Sequence, residues 1–149
     1  MRKFPVIEIR RFRKDDVAAV AAIEKLTNPS PWSVEQFRAE LDNPASRFDL
    51  LVVDNEVVAF LCAWIIVDEM QIQDVSTTPA FQRKGYASRL LEFTLANARK
   101  EGVGKVYLEV RRGNLPAQKL YKAFGFSVNG VRPNYYSDNE DALLMGLIL

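Results

Sequence analysis

The chain has 149 residues, 48% apolar and 26% charged, a composition typical of one globular domain over residues 1–149. Its 20 basic residues nearly balance 19 acidic residues, which argues against a general nucleic-acid-binding protein, because such proteins are usually strongly basic. A single cysteine excludes an internal disulfide and a multi-cysteine zinc site. The lack of histidine excludes Ser-His and Cys-His catalysis, so proton transfer must use carboxylate, tyrosine, lysine or water.

The sequence contains no segment that predicts export or membrane insertion. The N-terminal segment MRKFPVIEIRRF carries charges too closely spaced for the apolar centre of a signal peptide. The most apolar stretch, Val57–Val67, is far shorter than the roughly 20 residues that a helix needs to cross a bilayer. We therefore expect a cytoplasmic protein with no membrane partner.

The first half of the chain predicts two helices among four strands. Alternating apolar and charged residues at Val6–Phe12 predict a strand, and helical spacing predicts helices over VAAVAAIEKL and SVEQFRAEL. Acidic residues within Lys14–Asp16 suit the positive end of the first helix dipole, and Ser33 with Gln36 fits a capping box for the second helix. Three further strands are predicted at Phe48–Val53, Val57–Val67 and Met70–Thr77, the middle one buried on both faces.

The second half predicts a long helix, a strand, a second helix and two closing strands. These elements are a helix from Ala87 to Gly102, a strand at Lys105–Val110, a helix from Asn114 to Gly125, and strands around Phe126–Arg132 and Ala142–Leu149. A helix that joins two strands makes them parallel with a right-handed crossover, whereas short turns favour antiparallel neighbours. The order β-α-α-β-β-β-α-β-α-β-β therefore predicts a mixed α/β domain.

The stretch FQRKGYASRLL connects a predicted strand to the long helix. Arg83–Ser88 would present several backbone N–H groups at the helix N-terminus, where the dipole favours negative charge. Gly85 permits close backbone approach, while Arg83, Lys84 and Arg89 add positive charge. Such a turn is either an ordinary helix start or a phosphate-binding site, and by itself it does not decide between them, because short glycine motifs match by chance.

A second segment, YLEVRRGNLPAQKLYKAFGF, adds to this pattern. Together QRKGYA and N-x-x-A-x-x-L-Y-x-x-x-G-F resemble the signatures of the GNAT superfamily of acetyl-CoA-dependent N-acetyltransferases, whose pyrophosphate loop reads Q/R-x-x-G-x-G/A. The order of elements also fits, so the resemblance covers nearly the whole chain, although Ala87 stands where many members have a second glycine. PWSVEQF, LEVR and RPNYYSDNEDALLM look like the RimI type, which acetylates the N-terminal alanine of a bacterial small-subunit ribosomal protein.

The resemblance implies a single mixed, mostly antiparallel sheet with helices on both faces and one parallel strand pair that splays apart. In that gap the pantetheine arm of acetyl-CoA pairs with the open strand, and no metal is expected. The positions implied to contact acetyl-CoA are Val75, Ser76, Thr77, Arg83, Lys84, Gly85, Tyr86, Ala87, Ser88 and Asn114. Asn114 is also a good helix cap, and the two roles are compatible.

The resemblance also implies which residues carry out the reaction. Glu109 matches the general base and Tyr121 the general acid, with direct attack by the amine and no covalent enzyme intermediate. Trp32, Tyr135 and Tyr136 would line the acceptor site. Simpler interpretations stand beside these: Glu109 as a solvated strand residue, Tyr121 as core packing, Trp32 as a loop anchor, and the paired tyrosines as a cover over the core.

Three classes of function remain open from the sequence. The leading one is a protein N-terminal acetyltransferase whose partners are acetyl-CoA and the N-terminus of a protein, such as a ribosomal protein with N-terminal alanine. The second is a GNAT enzyme that acetylates a lysine side chain or a small-molecule amine. The third is a non-catalytic acetyl-CoA-binding module, which the presence of both Glu109 and Tyr121 disfavours. No direct contact with nucleic acid is expected.

Overall fold

The computed structural model describes residues 4–149, so the first three residues of the charged N-terminal segment, on which the signal-peptide argument partly rests, lie outside the described residues. The described chain forms one sheet from strands β1 (Ile7–Arg11), β2 (Ser46–Val53), β3 (Glu56–Ile66), β4 (Glu69–Thr77), β5 (Lys105–Arg111), β6 (Ser127–Arg132) and β7 (Ala142–Ile148). Its α-helices are α1 (Val17–Thr27), α2 (Val34–Glu40), α3 (Tyr86–Lys100) and α4 (Leu115–Ala123). Short 3-10 helices occur at Lys14–Asp16 and Pro79–Phe81.

The strand order in the sheet is β1-β2-β3-β4-β5-β7-β6. Within residues 4–149, only β4 and β5 are parallel neighbours, and the other five neighbouring pairs are antiparallel. α3 makes the crossover between the two parallel strands, as the order of elements predicts. The predicted mixed, mostly antiparallel sheet is therefore confirmed.

The two parallel strands separate partway along their length. They pair only where Glu69–Ile72 lies beside 105–108, although both strands continue beyond this point. The β3–β4 register shifts between Cys62 and Ala63, which pair with Asp74 and Ile72, so Gln73 is an extra residue on β4. Such a bulge bends its strand and strengthens its twist. It lies where β4 leaves β5, and it accounts for the predicted splay.

The sheet is covered by helices on both faces, as predicted. α3 and α4 pack over one core cluster, to which β3 contributes Ala59, Leu61 and Ala63. α1 and α2 pack over the second cluster, to which β3 contributes Phe60 and Cys62 from the intervening positions. Because successive strand side chains point to opposite faces, this alternation explains why the sequence of β3 is apolar almost throughout.

Local signals in the sequence agree with most helix boundaries. Ser33 and Gln36 form the predicted capping box, in which Ser33 Oγ accepts from the Gln36 amide at 3.1 Å. Asp16 directly precedes α1, as predicted, and its carboxylate accepts from the Arg10 guanidinium and the Arg13 amide without a hydrogen bond to the first turn of α1. Among residues 4–149, no helix is long and apolar enough to cross a membrane.

Candidate active site

The gap between β4 and β5 opens into a cleft of about 810 Å³. Strands β4 to β7, helix α4, the end of α1 and the loops that follow α1 and β6 contribute to its walls, because the cleft lies where the sheet divides. The side chains singled out from the sequence that line it are Trp32, Val75, Ser76, Glu109, Asn114, Tyr121, Tyr135 and Tyr136. The fold thus brings together residues that are far apart in the sequence.

Glu109 lies on β5 at the first position beyond the pairing with β4, and it lines the cleft. Its neighbours Leu108 and Val110 are each only 5% exposed, whereas the Glu109 side chain is 32% exposed. Its Oε1 lies 3.9 Å from an Arg132 guanidinium nitrogen, and a hydrogen bond to Glu109 raises the pKa of the Tyr135 hydroxyl. Glu109 is therefore solvated, as the simpler interpretation holds, and it is also a carboxylate within the cleft.

Tyr121 belongs to both the core and the cleft. Its side chain is 7% exposed, and its ring packs against Phe126 with the ring centroids 5.7 Å apart. Burial, together with the nearby Asp74 carboxyl, raises the pKa of its hydroxyl. Tyr121 consequently stays protonated at neutral pH, so it can donate a proton but is not a base there.

The turn at residues 83–88 has the backbone geometry of an anion-binding site. Arg83 and Gly85 have φ angles of +62° and +79°, and Gly85 precedes the first residue of α3. No described side chain caps this helix start, so the amides of residues 86–88 have no acceptor within the helix. A Cβ atom on Gly85 would meet no described atom within 4 Å, so the space beside the glycine is open to a ligand.

This turn does not line the cleft itself, and neither does Thr77. Thr77 pairs with Ala59 on β3, and its carbonyl accepts from the Gln82 side chain at 2.9 Å. The end of β4 and the 3-10 helix at Pro79–Phe81 therefore connect the cleft to the turn. The structure thus presents two surfaces in succession, an open strand edge and a helix start.

Two further positions contact the cleft while stabilising the fold. Asn114 caps α4, since its side-chain oxygen accepts from the Ala117 amide at 3.2 Å. The Ser76 hydroxyl lies 2.9 Å from the Thr27 hydroxyl and so joins β4 to the end of α1. Both interpretations of Asn114, as a cap and as a cleft residue, are compatible with this geometry.

The aromatic residues expected at the acceptor site form the outer wall of the cleft. Trp32 packs on Phe37 with the ring centroids 5.2 Å apart, so it also anchors its loop. Tyr135 and Tyr136 meet edge to face at 5.1 Å, and the Arg111 guanidinium lies 4.0 Å from the centre of the Tyr136 ring. Burial raises the pKa of Tyr136 to about 12.

Arg111 was not predicted from the sequence, although it holds this outer wall in place. Its guanidinium forms ion pairs with Asp138 at 2.9 Å and Glu140 at 3.0 Å in the loop between β6 and β7. The same loop carries both tyrosines, so β5 orders it through one arginine. The sequence signal is an arginine at the end of a strand opposite the acidic loop SDNED.

Two buried acids near the cleft were also missed. Glu24 is fully buried in α1, and one carboxylate oxygen of Asp74 in β4 is buried as well. The sequence does carry a signal for each acid. Glu24 falls on the apolar stripe of the helix that begins at Val17, and Asp74 continues the every-second-residue pattern of Met70 and Ile72 in its strand.

Comparisons with known proteins agree with this geometry. Residues 17–126 match the Acetyltransferase (GNAT) family. The [ribosomal protein bS18]-alanine N-acetyltransferase of Escherichia coli (strain K12) is 32% identical over 135 residues, covering 89% of this chain and 90% of that protein. The crystal structure of the ribosomal-protein-S18-alanine N-acetyltransferase from Escherichia coli superposes with a TM-score of 0.90 and 30% identity, covering 96% of this chain and 94% of that one.

A more distant structure shares the fold. Arabidopsis thaliana NAA60, solved in complex with acetyl-CoA, has a TM-score of 0.87 and 18% identity, covering 97% of this chain and 99% of that one. The family match spans the whole segment from α1 to the start of β6, including the turn, the splayed strands and α4. The chain belongs to the GNAT family of acetyltransferases.

Proposed function

We propose that this protein transfers the acetyl group of acetyl-CoA to the α-amine at the N-terminus of ribosomal protein bS18, on alanine. The observation that carries this proposal is the cleft between β4 and β5, which Glu109 and Tyr121 both line beside an open strand edge. The relatives described above as bS18-alanine N-acetyltransferases support the choice of acceptor. A ribosomal acceptor also supports a cytoplasmic location.

Acetyl-CoA is the cosubstrate, and the geometry offers separate contacts for its two polar regions. The unpaired edge of β4 at Val75 and Ser76 has backbone groups available to the pantetheine amides, as a missing strand would. The turn at residues 83–88 offers free amides and the charges of Arg83 and Lys84 to the pyrophosphate. We assign Thr77 and Asn114 to the ends of this path, with Asn114 nearest the sulfur.

The chemistry needs a neutral amine, a site for the oxyanion and a proton for the leaving thiolate. An α-amine has a pKa of about 8, so a carboxylate base completes its deprotonation at neutral pH. Glu109 takes that proton directly or through water, and the amine nitrogen then bonds to the thioester carbon. Backbone N–H groups at the open strand edge stabilise the oxyanion, and Tyr121 donates its proton to the sulfur as the carbon–sulfur bond breaks.

The outer wall suits a peptide N-terminus. Trp32, Tyr135 and Tyr136 line the cleft, and we expect them to contact the peptide backbone just behind the amine. Aromatic side chains contribute contact area at low conformational cost, because they have only two side-chain torsions. We expect a small first residue such as alanine to lie between these rings and the catalytic pair.

The acceptor is tested by competition between two amines in one peptide. One peptide begins with a free N-terminal alanine and carries one internal lysine, and its matched control has the N-terminus blocked. We expect mass spectrometry to find a single acetyl group on the free α-amine and almost none on the blocked peptide. Equal acetylation of the lysine in both peptides would contradict the N-terminal acceptor and support an enzyme that modifies lysine side chains.

A further inference from the structure

Two carboxyl groups near the cleft share a buried environment and take no part in the steps described above. Glu24 is fully buried in α1, and Asp74 lies at the bulge of β4 with its carboxyl facing Glu24 within hydrogen-bonding reach. Glu24 Oε1 and Asp74 Oδ2 are both buried without any other hydrogen-bond partner among the described residues. Two ionised carboxylates can only accept hydrogen bonds, so neither could satisfy the other without a proton.

One shared proton satisfies both atoms, and the surroundings determine which residue carries it. Glu24 Oε2 accepts from the Trp32 backbone amide at 3.0 Å and from the Asn28 side chain at 3.1 Å. These two donors already satisfy Glu24 Oε2, which leaves Oε1 as the unpartnered carboxyl oxygen of Glu24 among the described residues. Burial and the adjacent Glu24 carboxylate raise the pKa of Asp74 well above its usual range. The proton therefore belongs on Asp74.

The groups that face Asp74 do not supply a compensating positive charge. Cys62 of β3 pairs with it across the sheet, and burial raises the pKa of that thiol, so it stays neutral. Tyr121 of α4 stays protonated, and β5 contributes the acid Glu109 to the same cleft. On the other face, α3 packs against the sheet through apolar residues and Thr94.

We propose that Asp74 is a protonated carboxylic acid that donates a hydrogen bond to Glu24, and that this pair positions the Trp32 loop for the acceptor. The loop, residues 28–33, depends on Glu24 through the Trp32 amide and the Asn28 side chain. The hydrogen bond between Thr27 and Ser76 links the same two elements nearby. Asp74 and Glu24 are therefore positioning residues, and their effect on turnover rests on the proposed function.

Asp74→Asn distinguishes a need for a hydrogen-bond donor at this position from a need for a negative charge. Asp74→Asn keeps a hydrogen-bond donor toward Glu24 without requiring a proton, whereas Asp74→Ala removes the donor. At pH 7 we expect Asp74→Asn to keep kcat/KM for the acceptor peptide within about threefold, and Asp74→Ala to raise its KM roughly ten- to a hundredfold. The KM for acetyl-CoA should change little in both. A loss in the asparagine variant as large as in the alanine variant would overturn the proposal.

The pH profile supplies a second readout that a structural role alone would not move. In the wild type, kcat/KM for the acceptor falls as Asp74 loses its proton, since two adjacent carboxylates then repel each other. Asp74→Asn lacks this loss, while the acceptor amine titrates alike with both proteins. Coinciding profiles up to the alkaline limit of stability would contradict the shared proton.

A spectroscopic measurement makes the proposal independent of any acceptor. In the protein labelled with ¹³C at the aspartate carboxyl carbons, we expect one signal at the position of a protonated acid at pH 7, and its loss in Asp74→Asn. If the signal is present but no peptide is acetylated, the proposed function fails and the pair stands. If every aspartate titrates in the ordinary acidic range, the pair is refuted whatever the activity.

Discussion

Removal of one oxygen atom from Tyr121 tests the proposed acid separately from the core. The ring packs on Phe126 and is 7% exposed, so Tyr121→Phe keeps the packing and loses only the hydroxyl. We expect the free energy of unfolding to change by less than about 1 kcal/mol. Turnover should fall roughly 10²- to 10⁴-fold, which corresponds to about 2.7–5.4 kcal/mol of transition-state stabilisation.

The measurement combines a thiol-release assay at saturating acetyl-CoA with urea unfolding of each variant. Tyr121→Ala serves as the control, because removal of the whole buried ring should cost about 3–5 kcal/mol of stability. Burial raises the pKa of Tyr121, so the wild-type hydroxyl should stay protonated beyond the range of an ordinary tyrosine. Full turnover in Tyr121→Phe would refute the assignment, and a stability loss as large as that of the alanine variant would refute the separation of roles.

The remaining predictions concern the phosphate turn, the base and the buried pair. Gly85→Val should weaken acetyl-CoA binding about tenfold or more in calorimetry, because its Cβ enters the space assigned to pyrophosphate. Gly102→Val is the matched control, since Gly102 also has a positive φ and open space beside it, and this variant should leave binding unchanged. Glu109→Gln should lower turnover roughly 10²- to 10⁴-fold at pH 7 with little change in the affinity for acetyl-CoA. The difference in turnover between wild type and variant should narrow above a pH of about 8, because the α-amine then loses its proton without a base. A difference that stays constant with pH argues against a base. Between the pKa of Asp74 in the unfolded chain and its raised pKa in the folded protein, the folded wild type retains a proton that the unfolded chain releases, so the wild type loses stability as pH rises. Asp74→Asn lacks this proton, and its free energy of unfolding should therefore gain on that of the wild type by up to about 1.4 kcal/mol per pH unit in this window. A difference in urea unfolding that does not change with pH would contradict this.

Features encoded by neighbouring residues could be predicted from the sequence. The capping box of Ser33 and Gln36 and the left-handed backbone at Gly85 depend on a few adjacent positions. The continuous burial of β3 follows from its apolar composition, because both of its faces are covered. The gathering of Glu109 and Tyr121 in one cleft followed from the family resemblance, while their catalytic roles stay predictions.

Features that depend on contacts between distant segments were not predicted. The bulge at Gln73 arises from the register between β3 and β4, which no short pattern in the sequence reveals. The pairing of Glu24 with Asp74 requires α1 to pack against β4. Arg111 likewise binds Asp138 and Glu140, which lie 27 and 29 positions further along the chain. In each case the tertiary packing, and not local preference, sets the partner.

The most direct test of the central claim is a crystal structure with a conjugate that joins coenzyme A, through an acetyl linker, to a peptide beginning with alanine. We predict that its pantetheine arm lies along Val75 and Ser76. The alanine nitrogen should lie within hydrogen-bonding reach of Glu109, directly or through one water, with the Tyr121 hydroxyl facing the sulfur. A conjugate bound outside the gap between β4 and β5, or with Glu109 and Tyr121 remote from the linker, would contradict the account.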